Sequence, residues 1–422
     1  MTPFEAFSHC KRISTDTRNI LPNSVFFALK GARFNGNEFA LAALEQGAAY
    51  AVVDEAVGTD PRLIQVNEVL TALQECARSY RRSMNIPVVG LTGSNGKTTN
   101  KELFGAVLKK RLKVHVTAGN FNNHIGVPLT LLEMPETSEV AIIEMGANHQ
   151  REIALLASIA EPSIGYITNY GKAHMEGFGG VEGIIAGKSE LYDYCRERGA
   201  QVMINFDDPI QITKSTGIDF FGFGHSKGLQ WKSSTKDEFA AIQFTHEADS
   251  YTVKSKLSGS FNEQNIAAAV CLGIHFGVPP QDIVDALEGY TPEMNRVEWR
   301  TTKYNKVLLD AYNANPTSMS LSVESFAKWH SDGWMVLGDM FELGKSATVE
   351  HQEMIALIQR LDMSERTILV GKHFGACDWN GMHFDTTQEL EIFWNKKGAP
   401  KDAYILLKGS RGIALEALLP LL

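Results

Sequence analysis

Four short runs in the middle of the chain are apolar at almost every position: "IPVVGLT" (86–92), "AIIEMG" (141–146), "SIGYITN" (163–169) and "QVMINFDD" (201–208). Continuous apolar runs of this length mark strands covered on both faces, whereas alternation would mark a strand with one face in water. Helical spacing separates them, as in "EGIIAGKSELYDYCRERG" (182–199). Strands alternating with helices predict a mostly parallel α/β sheet.

The pattern has a prelude and a restart. Before residue 86, "SVFFALKG" (24–31) reads as a strand ending in a glycine turn. "FALAALEQGAAYAVVDE" (39–55) reads as helix, glycine, strand, and "VLTALQECARSYRRSM" (69–84) as a closing helix. Pro87 then marks a boundary. From about residue 298 a second series begins: "KVLLDAYNANP" (306–316), "WMVLGDM" (334–340), "TILVGKHF" (367–374) and "AYILLKGSRG" (403–412). Each is a buried run with a polar or glycine-rich end, where functional residues of α/β sheets gather. The expectation is an α/β chain of three domains, 1–85, 86–297 and 298–422, consistent with its 422 residues.

Composition narrows the class. Apolar residues are 44% and charged residues 21%, an ordinary globular balance, and the net charge is −9. That charge argues against a sequence-independent nucleic-acid binder, which needs a basic face. No run of about 18 apolar residues is present to span a bilayer, and the opening residues do not read as a signal peptide. The five cysteines are scattered without a C-x-x-C pair. They read as small core residues of a cytoplasmic protein rather than a metal or disulfide framework.

The densest chemistry lies in "GLTGSNGKTT" (90–99). A buried strand runs into a glycine loop and then a helix starting near Lys97, with Leu103, Phe104, Leu108 and Leu112 at helical spacing. Gly93 and Gly96 allow the N–H groups of Ser94, Asn95 and their neighbours to turn toward phosphate oxygens. The helix N-terminus adds partial positive charge. Lys97 reaches the outer phosphates, and the hydroxyl of Thr98, followed by Thr99, suits Mg²⁺. A purely structural strand–turn–helix corner has no need of all these residues together. The loop therefore predicts a bound nucleoside triphosphate, which a kinase, a switch, a motor or a ligase would all use. A guanine-reading N-K-x-D does not follow; "NYGKAH" (169–174) spaces Asn and Lys differently.

Three further residues stand where sheet-end ligands gather. Glu144 ends the run 141–146, beside the phosphate loop, as a natural Mg²⁺ ligand. His174 lies in the glycine-rich "GKAHMEGFGG". Lys188, with Ile184, Ile185 and Leu191 at helical spacing, reads from spacing alone as a solvated lysine whose stem runs past apolar neighbours.

Taken in order, "TGSNGKTT", "EMGANHQREI", "GKAHMEGFGGVEGIIAGKSE", "NEQNIAAAV", "LLDAYNANPTSM" and "LLKGSRG" resemble the Mur ligases of bacterial peptidoglycan synthesis. The last two motifs look most like the branch that adds D-alanyl-D-alanine. The opening "STDTRNILPNSVFFALKGARFNGNEFALAALEQGA" (14–48) resembles the family's uridine-diphosphate-binding domain. The resemblance implies a UDP-sugar domain, an ATP domain and a Rossmann-like domain for the incoming amine. It implies that the carboxylate of a UDP-N-acetylmuramoyl-tripeptide is activated by ATP as an acyl phosphate and captured by D-Ala-D-Ala. The branch that adds diaminopimelate or lysine to the dipeptide shares the first two domains and is the alternative. The resemblance implies a monomeric bacterial cytoplasmic enzyme with small-molecule substrates and no nucleic-acid or membrane partner.

Residue by residue, the resemblance implies phosphate and Mg²⁺ contacts at Lys97 and Thr98, a metal ligand at Glu144 and a second Mg²⁺ at His174. It implies that Lys188 is carried as a carbamate, an anion that helps hold that second metal. Asn265 matches the adenine contact, Arg296 and Asp310 the triphosphate and ribose contacts, and Tyr312 packs on the nucleotide. Thr15, Asp16, Thr17 and Arg18 match the uridine-diphosphate turn. Asn120, Asn122 and Asn123 match the loop that meets the pyrophosphate and muramoyl part, and Asn315, Ser410 and Arg411 the amine side. Two departures are local: Arg151 stands where many relatives have glycine, and Gly179–Gly180 where Gly-Ser is common.

Overall fold

The nine-stranded central sheet of the computed structural model runs, edge to edge, through Asp249–Ser258, Phe239–His246, Leu229–Ser233, Phe220–Gly224, Gln201–Asn205, Ile164–Ile167, Val88–Thr92, Val140–Glu144 and Val114–Val116. The structure describes residues 1–292 and 297–422. Seven of these strands pair in parallel, and the hairpin Phe239–His246/Asp249–Ser258 adds an antiparallel edge that the sequence reading did not distinguish. Val88–Thr92 is buried along its whole length between Val140–Glu144 and Ile164–Ile167. The chain leaves it first toward one side of the sheet and later returns on the other, so strand order reverses there. That reversal opens a crevice at the strand's carboxyl end, the place where open α/β sheets bind ligands.

Two smaller sheets flank it. Ile13–Ser14, Val25–Phe27, Tyr50–Val53 and Leu63–Gln65 form a parallel sheet of four, covered by the helix Val69–Ser83. That helix docks the first sheet on the central body: Tyr80 Oη donates to Met134 O at 2.8 Å. The expected strand 24–31 is broken after Phe27, and Lys30–Gly31 instead pairs antiparallel with Phe34–Asn35. The third sheet has six strands, five of them parallel (Lys306–Asp310, Tyr404–Lys408, Trp334–Gly338, Thr367–Val370, Met382–Phe384), with Glu298–Thr301 antiparallel at the edge.

The helix Lys97–Leu108 is seated by its apolar face. Leu103, Phe104, Val107 and Leu108 are fully buried under the central sheet. At about 1.5–3 kcal/mol for each large apolar side chain, this face anchors the loop before it far more firmly than helix propensity would. Arg151 has φ 70°, the left-handed region that glycine enters without strain, which accounts for the glycine of many relatives there.

Candidate active site

Between the carboxyl ends of the central sheet and the third sheet lies a cavity of about 1120 Å³. Its wall includes the whole phosphate-loop segment Ser94–Thr99, together with Asn120, Asn122, Asn123, Glu144, His174, Asn265, Asp310, Tyr312 and Asn315. Residues spread over more than 200 positions of sequence thus meet in one space.

The loop is built for close approach. Gly93 has φ 146° and a Cβ there would sit 1.9 Å from Thr168 Oγ1; Gly96 has φ 76° and a Cβ there would meet Asn265 Oδ1 at 2.9 Å. Neither position admits a side chain. Asn265 knits the loop to the helix Asn262–His275: it accepts from Asn100 at 2.7 Å and donates to Asn262 at 2.8 Å. The Lys97 ammonium donates to Gly93 O at 2.7 Å and Ser94 O at 3.3 Å, curled over its own loop. Ser94 Oγ and Asn95 Nδ2 are buried with no hydrogen-bond partner among the described residues. Buried polar atoms of this kind are expected to meet a ligand or water.

Glu144 ends its strand almost fully buried, with Thr98 Oγ1 donating to its carboxylate at 3.1 Å and Asn122 Nδ2 at 2.8 Å. Sequence reasoning missed its third neighbour, Lys101. This lysine is fully buried, 3.7 Å from Glu144 Oε2, and donates to Gly119 O at 3.0 Å. Its position one turn after Lys97, on a face otherwise apolar, was the available signal. Asn123 spends its side-chain oxygen on the N–H groups of Ile125 and Gly126, at the start of the helix Gly126–Leu132.

His174 stands at φ 54°, its Nδ1–H donating to Glu342 of the third sheet's loops. That bond holds the Glu342 carboxyl below the usual range. Lys188 does not line the cavity and is not solvated, contrary to the reading from spacing alone. It is fully buried on the helix Val181–Arg198, its ammonium 4.8 Å from the Phe178 ring and donating to Ala147 O at 3.1 Å. Ala147 itself lines the cavity. Burial, with the Lys97 charge nearby, pushes the Lys188 amine well below the usual lysine range.

On the third sheet, Asp310 pairs with Lys408 and accepts from Ser322 Oγ at 2.8 Å. Lys408, in the "KGSRG" run, also faces the cavity, a contact that sequence reasoning did not single out. Asn315 caps the helix Pro316–Trp329 through Ser318 N at 2.9 Å and donates to Asn95 Oδ1 at 2.7 Å. Ser410 and Arg411 lie outside the cavity lining. Ser410 Oγ accepts from Phe341 N at 2.9 Å, and Arg411 is 3.4 Å from Glu416. Arg296 lies outside the described residues. Thr15, Asp16, Thr17 and Arg18 are in the first sheet's loops, away from this cavity. There the Arg18 guanidinium holds Asp16 down to about 2.

A glycine loop at the switch point of a parallel sheet, facing a third α/β layer across a cavity, defines a three-domain nucleotide-dependent enzyme. The Mur ligase middle domain matches residues 91–273, the glutamate ligase domain of Mur ligases residues 295–411, and the Mur ligase family catalytic domain residues 9–90. The chain belongs to the Mur ligase family. It is 36% identical to the UDP-N-acetylmuramoyl-tripeptide–D-alanyl-D-alanine ligase of Bacillus subtilis (strain 168), over 96% of this chain and 91% of that one. A crystal structure of MurF from Acinetobacter baumannii superposes with a TM-score of 0.88 at 30% identity, covering 97% of this chain and 92% of that one. MurF ligase from Thermotoga maritima, in complex with ADP, superposes at 0.86 with 27% identity, covering 100% and 98%.

Proposed function

We infer that this chain is the ATP-dependent ligase that joins D-alanyl-D-alanine to UDP-N-acetylmuramoyl-tripeptide. The observation that carries this reading is the near full-length match to ligases of that name, with the phosphate loop opening on the inter-domain cavity. The relatives' names favour it over the diaminopimelate- or lysine-adding alternative.

The chemistry asks two anions to approach, since a substrate carboxylate must attack the γ-phosphate of ATP. The residues around the phosphate loop suit that task. The amino end of the helix Lys97–Leu108 opens on the cavity and would meet phosphate there, whereas the N–H groups of Ser94 and Asn95, expected to turn toward phosphate, are spent on Asn169. Lys97 is placed to leave its loop carbonyls for the outer phosphates, where charge grows during transfer. In the second half-reaction the dipeptide amine attacks the acyl carbon, phosphate leaves, and the amine gives up a proton. Asn120 and Asn122 line the cavity on the side proposed for the muramoyl peptide. Thr15, Asp16, Thr17 and Arg18 would hold the uridine diphosphate. Asn265 and Tyr312 are proposed for the adenine end, Asp310 and Arg296 for ribose and triphosphate, and Asn315, Ser410 and Arg411 for the amine side.

The residues present fit Mg²⁺. Thr98 and Glu144 supply hard oxygen ligands side by side. Among the described residues no three His, Cys, Asp or Glu side chains gather as a cage, and Mg²⁺ commonly takes most ligands from phosphate and water. When bound, Mg²⁺ supplies charge neutralisation at the phosphates. At a second site His174 would offer Nε2, because Nδ1 is engaged by Glu342. Lys188 fits a carbamate: burial favours the neutral amine, the form that adds carbon dioxide, and the product would be an anion near the cavity wall. The enzyme is proposed to work as a monomer in the bacterial cytoplasm.

The test is phosphate release measured with UDP-N-acetylmuramoyl-tripeptide and D-Ala-D-Ala together, against each alone. Release is expected only with both. Release with the dipeptide-linked sugar and a diamino acid instead would favour the neighbouring branch.

A further inference from the structure

The segment Thr168–Glu176, which follows the strand Ile164–Ile167, touches the phosphate loop at one end and three parts of the third domain at the other. At the near end, Asn169 O accepts from Ser94 N at 3.0 Å and Thr168 Oγ1 donates to Asn95 O at 2.6 Å. At the far end, Glu176 N donates to Glu342 O at 3.0 Å, beside the His174–Glu342 bond. Between them stands Lys172. Its backbone N–H donates to Thr317 Oγ1 at 2.9 Å, in the first turn of the helix Pro316–Trp329. Its ammonium lies 2.7 Å from Glu350 and 3.5 Å from Glu353, both on the helix Ala347–Arg360. A Cβ on the preceding Gly171 would lie 2.8 Å from Asn95 Nδ2 and 3.1 Å from Thr317 Oγ1. Three bodies therefore meet there with no room for a side chain.

We propose that Lys172 is a positioning residue that clamps the third domain over the nucleotide cavity, so that closure of that domain sets the phosphate loop and the His174 segment together. The kinetic consequence of this clamp rests on the ligase reading; the clamp itself does not. Glu350 is 6% exposed on its side chain. Without Lys172 its carboxylate would be left buried across the joint, and breaking one partner of such a pair is costly. The cost falls on the joint that Lys172 and Glu350 span, across which the apolar cluster of the central domain also continues into the third. An opened joint regains water at Glu350. The equilibrium between closed and open forms therefore shifts by as much as the pair favours closure.

The experiment uses the full chain with Lys172→Met, Lys172→Glu, Glu350→Gln, and the charge-reversed pair Lys172→Glu with Glu350→Lys. Steady-state kinetics, ADP binding and small-angle X-ray scattering with saturating ADP are compared with the unsubstituted chain. For Lys172→Met and Glu350→Gln, kcat/KM for D-Ala-D-Ala should fall about tenfold. The ADP Kd should stay within about twofold, and the radius of gyration of the ADP-bound form should rise. Lys172→Glu should be worse, and the reversed pair should recover most of the loss. An unchanged radius of gyration and kcat/KM in Lys172→Met, or a reversed pair no better than Lys172→Glu, overturns the clamp. If the unsubstituted chain forms no product, the ligase reading fails, and the scattering comparison still decides the clamp.

Discussion

The side-chain amide of Asn315 donates to the side-chain oxygen of Asn95 at 2.7 Å, across 220 residues of sequence. Asn315 opens a helix of the third domain, and Asn95 is the tip of the phosphate loop. The bond places the third domain in contact with the loop proposed to hold ATP. Small changes on either side of the cavity are therefore expected to be felt on the other.

Lys97→Ala should reduce ligation at least about a hundredfold, the scale of losing one preorganised charge from a reacting centre. The fold should survive, because the Lys97 ammonium bonds carbonyls of its own loop at the cavity wall. Circular dichroism and the thermal midpoint check the fold, and phosphate release checks activity. Near-normal turnover would remove this loop as the ATP site.

Lys188→Ala should lose nearly all activity, and a short-chain carboxylic acid should restore part of it in a concentration-dependent way by refilling the space with an oxygen ligand. Lys188→Arg should stay inactive, since a guanidinium keeps its charge and forms no carbamate. A fully active Lys188→Arg enzyme would refute the carbamate.

Arg18→Ala should raise KM for the UDP sugar about tenfold while leaving KM for ATP nearly unchanged, as expected when mainly ground-state binding is lost. Arg18 is strongly exposed and bonded to Asp16, so the thermal midpoint should hardly move. A raised KM for ATP alone would show that the substrate lies elsewhere.

His351 predicts a pH effect on stability. It is buried, its Nε2 accepts from Met340 N–H at 3.0 Å, and its Nδ1–H donates to Ala347 O at 2.7 Å. A proton on Nε2 would break the first bond, and burial lowers the folded-state pKa below the ordinary histidine value of about 6.5. The unfolded chain therefore takes up the proton first as pH falls. The stability due to neutral His351 is complete above about 6.5 and is lost below it, down to the folded pKa. In His351→Gln, the fall in unfolding free energy between pH 7 and 5 should be shallower than in the unsubstituted chain. Equal slopes by urea denaturation would contradict this.

The sequence by itself determined the elements whose requirements are local. The strand Val88–Thr92, the glycine loop and the helix Lys97–Leu108 follow from an apolar run, two positions that need positive φ, and apolar residues at helical spacing. The antiparallel hairpin at 239–258 was not legible in the same way, because its partner strands are chosen by the sheet edge they cover. Part of the cavity wall was likewise readable, Glu144 and His174 from their place beyond strand ends and Asn265 from the family resemblance. Tertiary packing alone decided the rest. It buried Lys188 beside Phe178 and Ala147 where spacing suggested solvent, and put Lys101 under Glu144 and Lys408 against Asp310. It also turned Asn315 into a cap and a bridge, while Ser410 and Arg411 of the same domain stayed outside the cavity. Local sequence sets backbone conformation over a few residues. Burial and charge partners depend on segments tens to hundreds of residues away, which only the folded chain brings together.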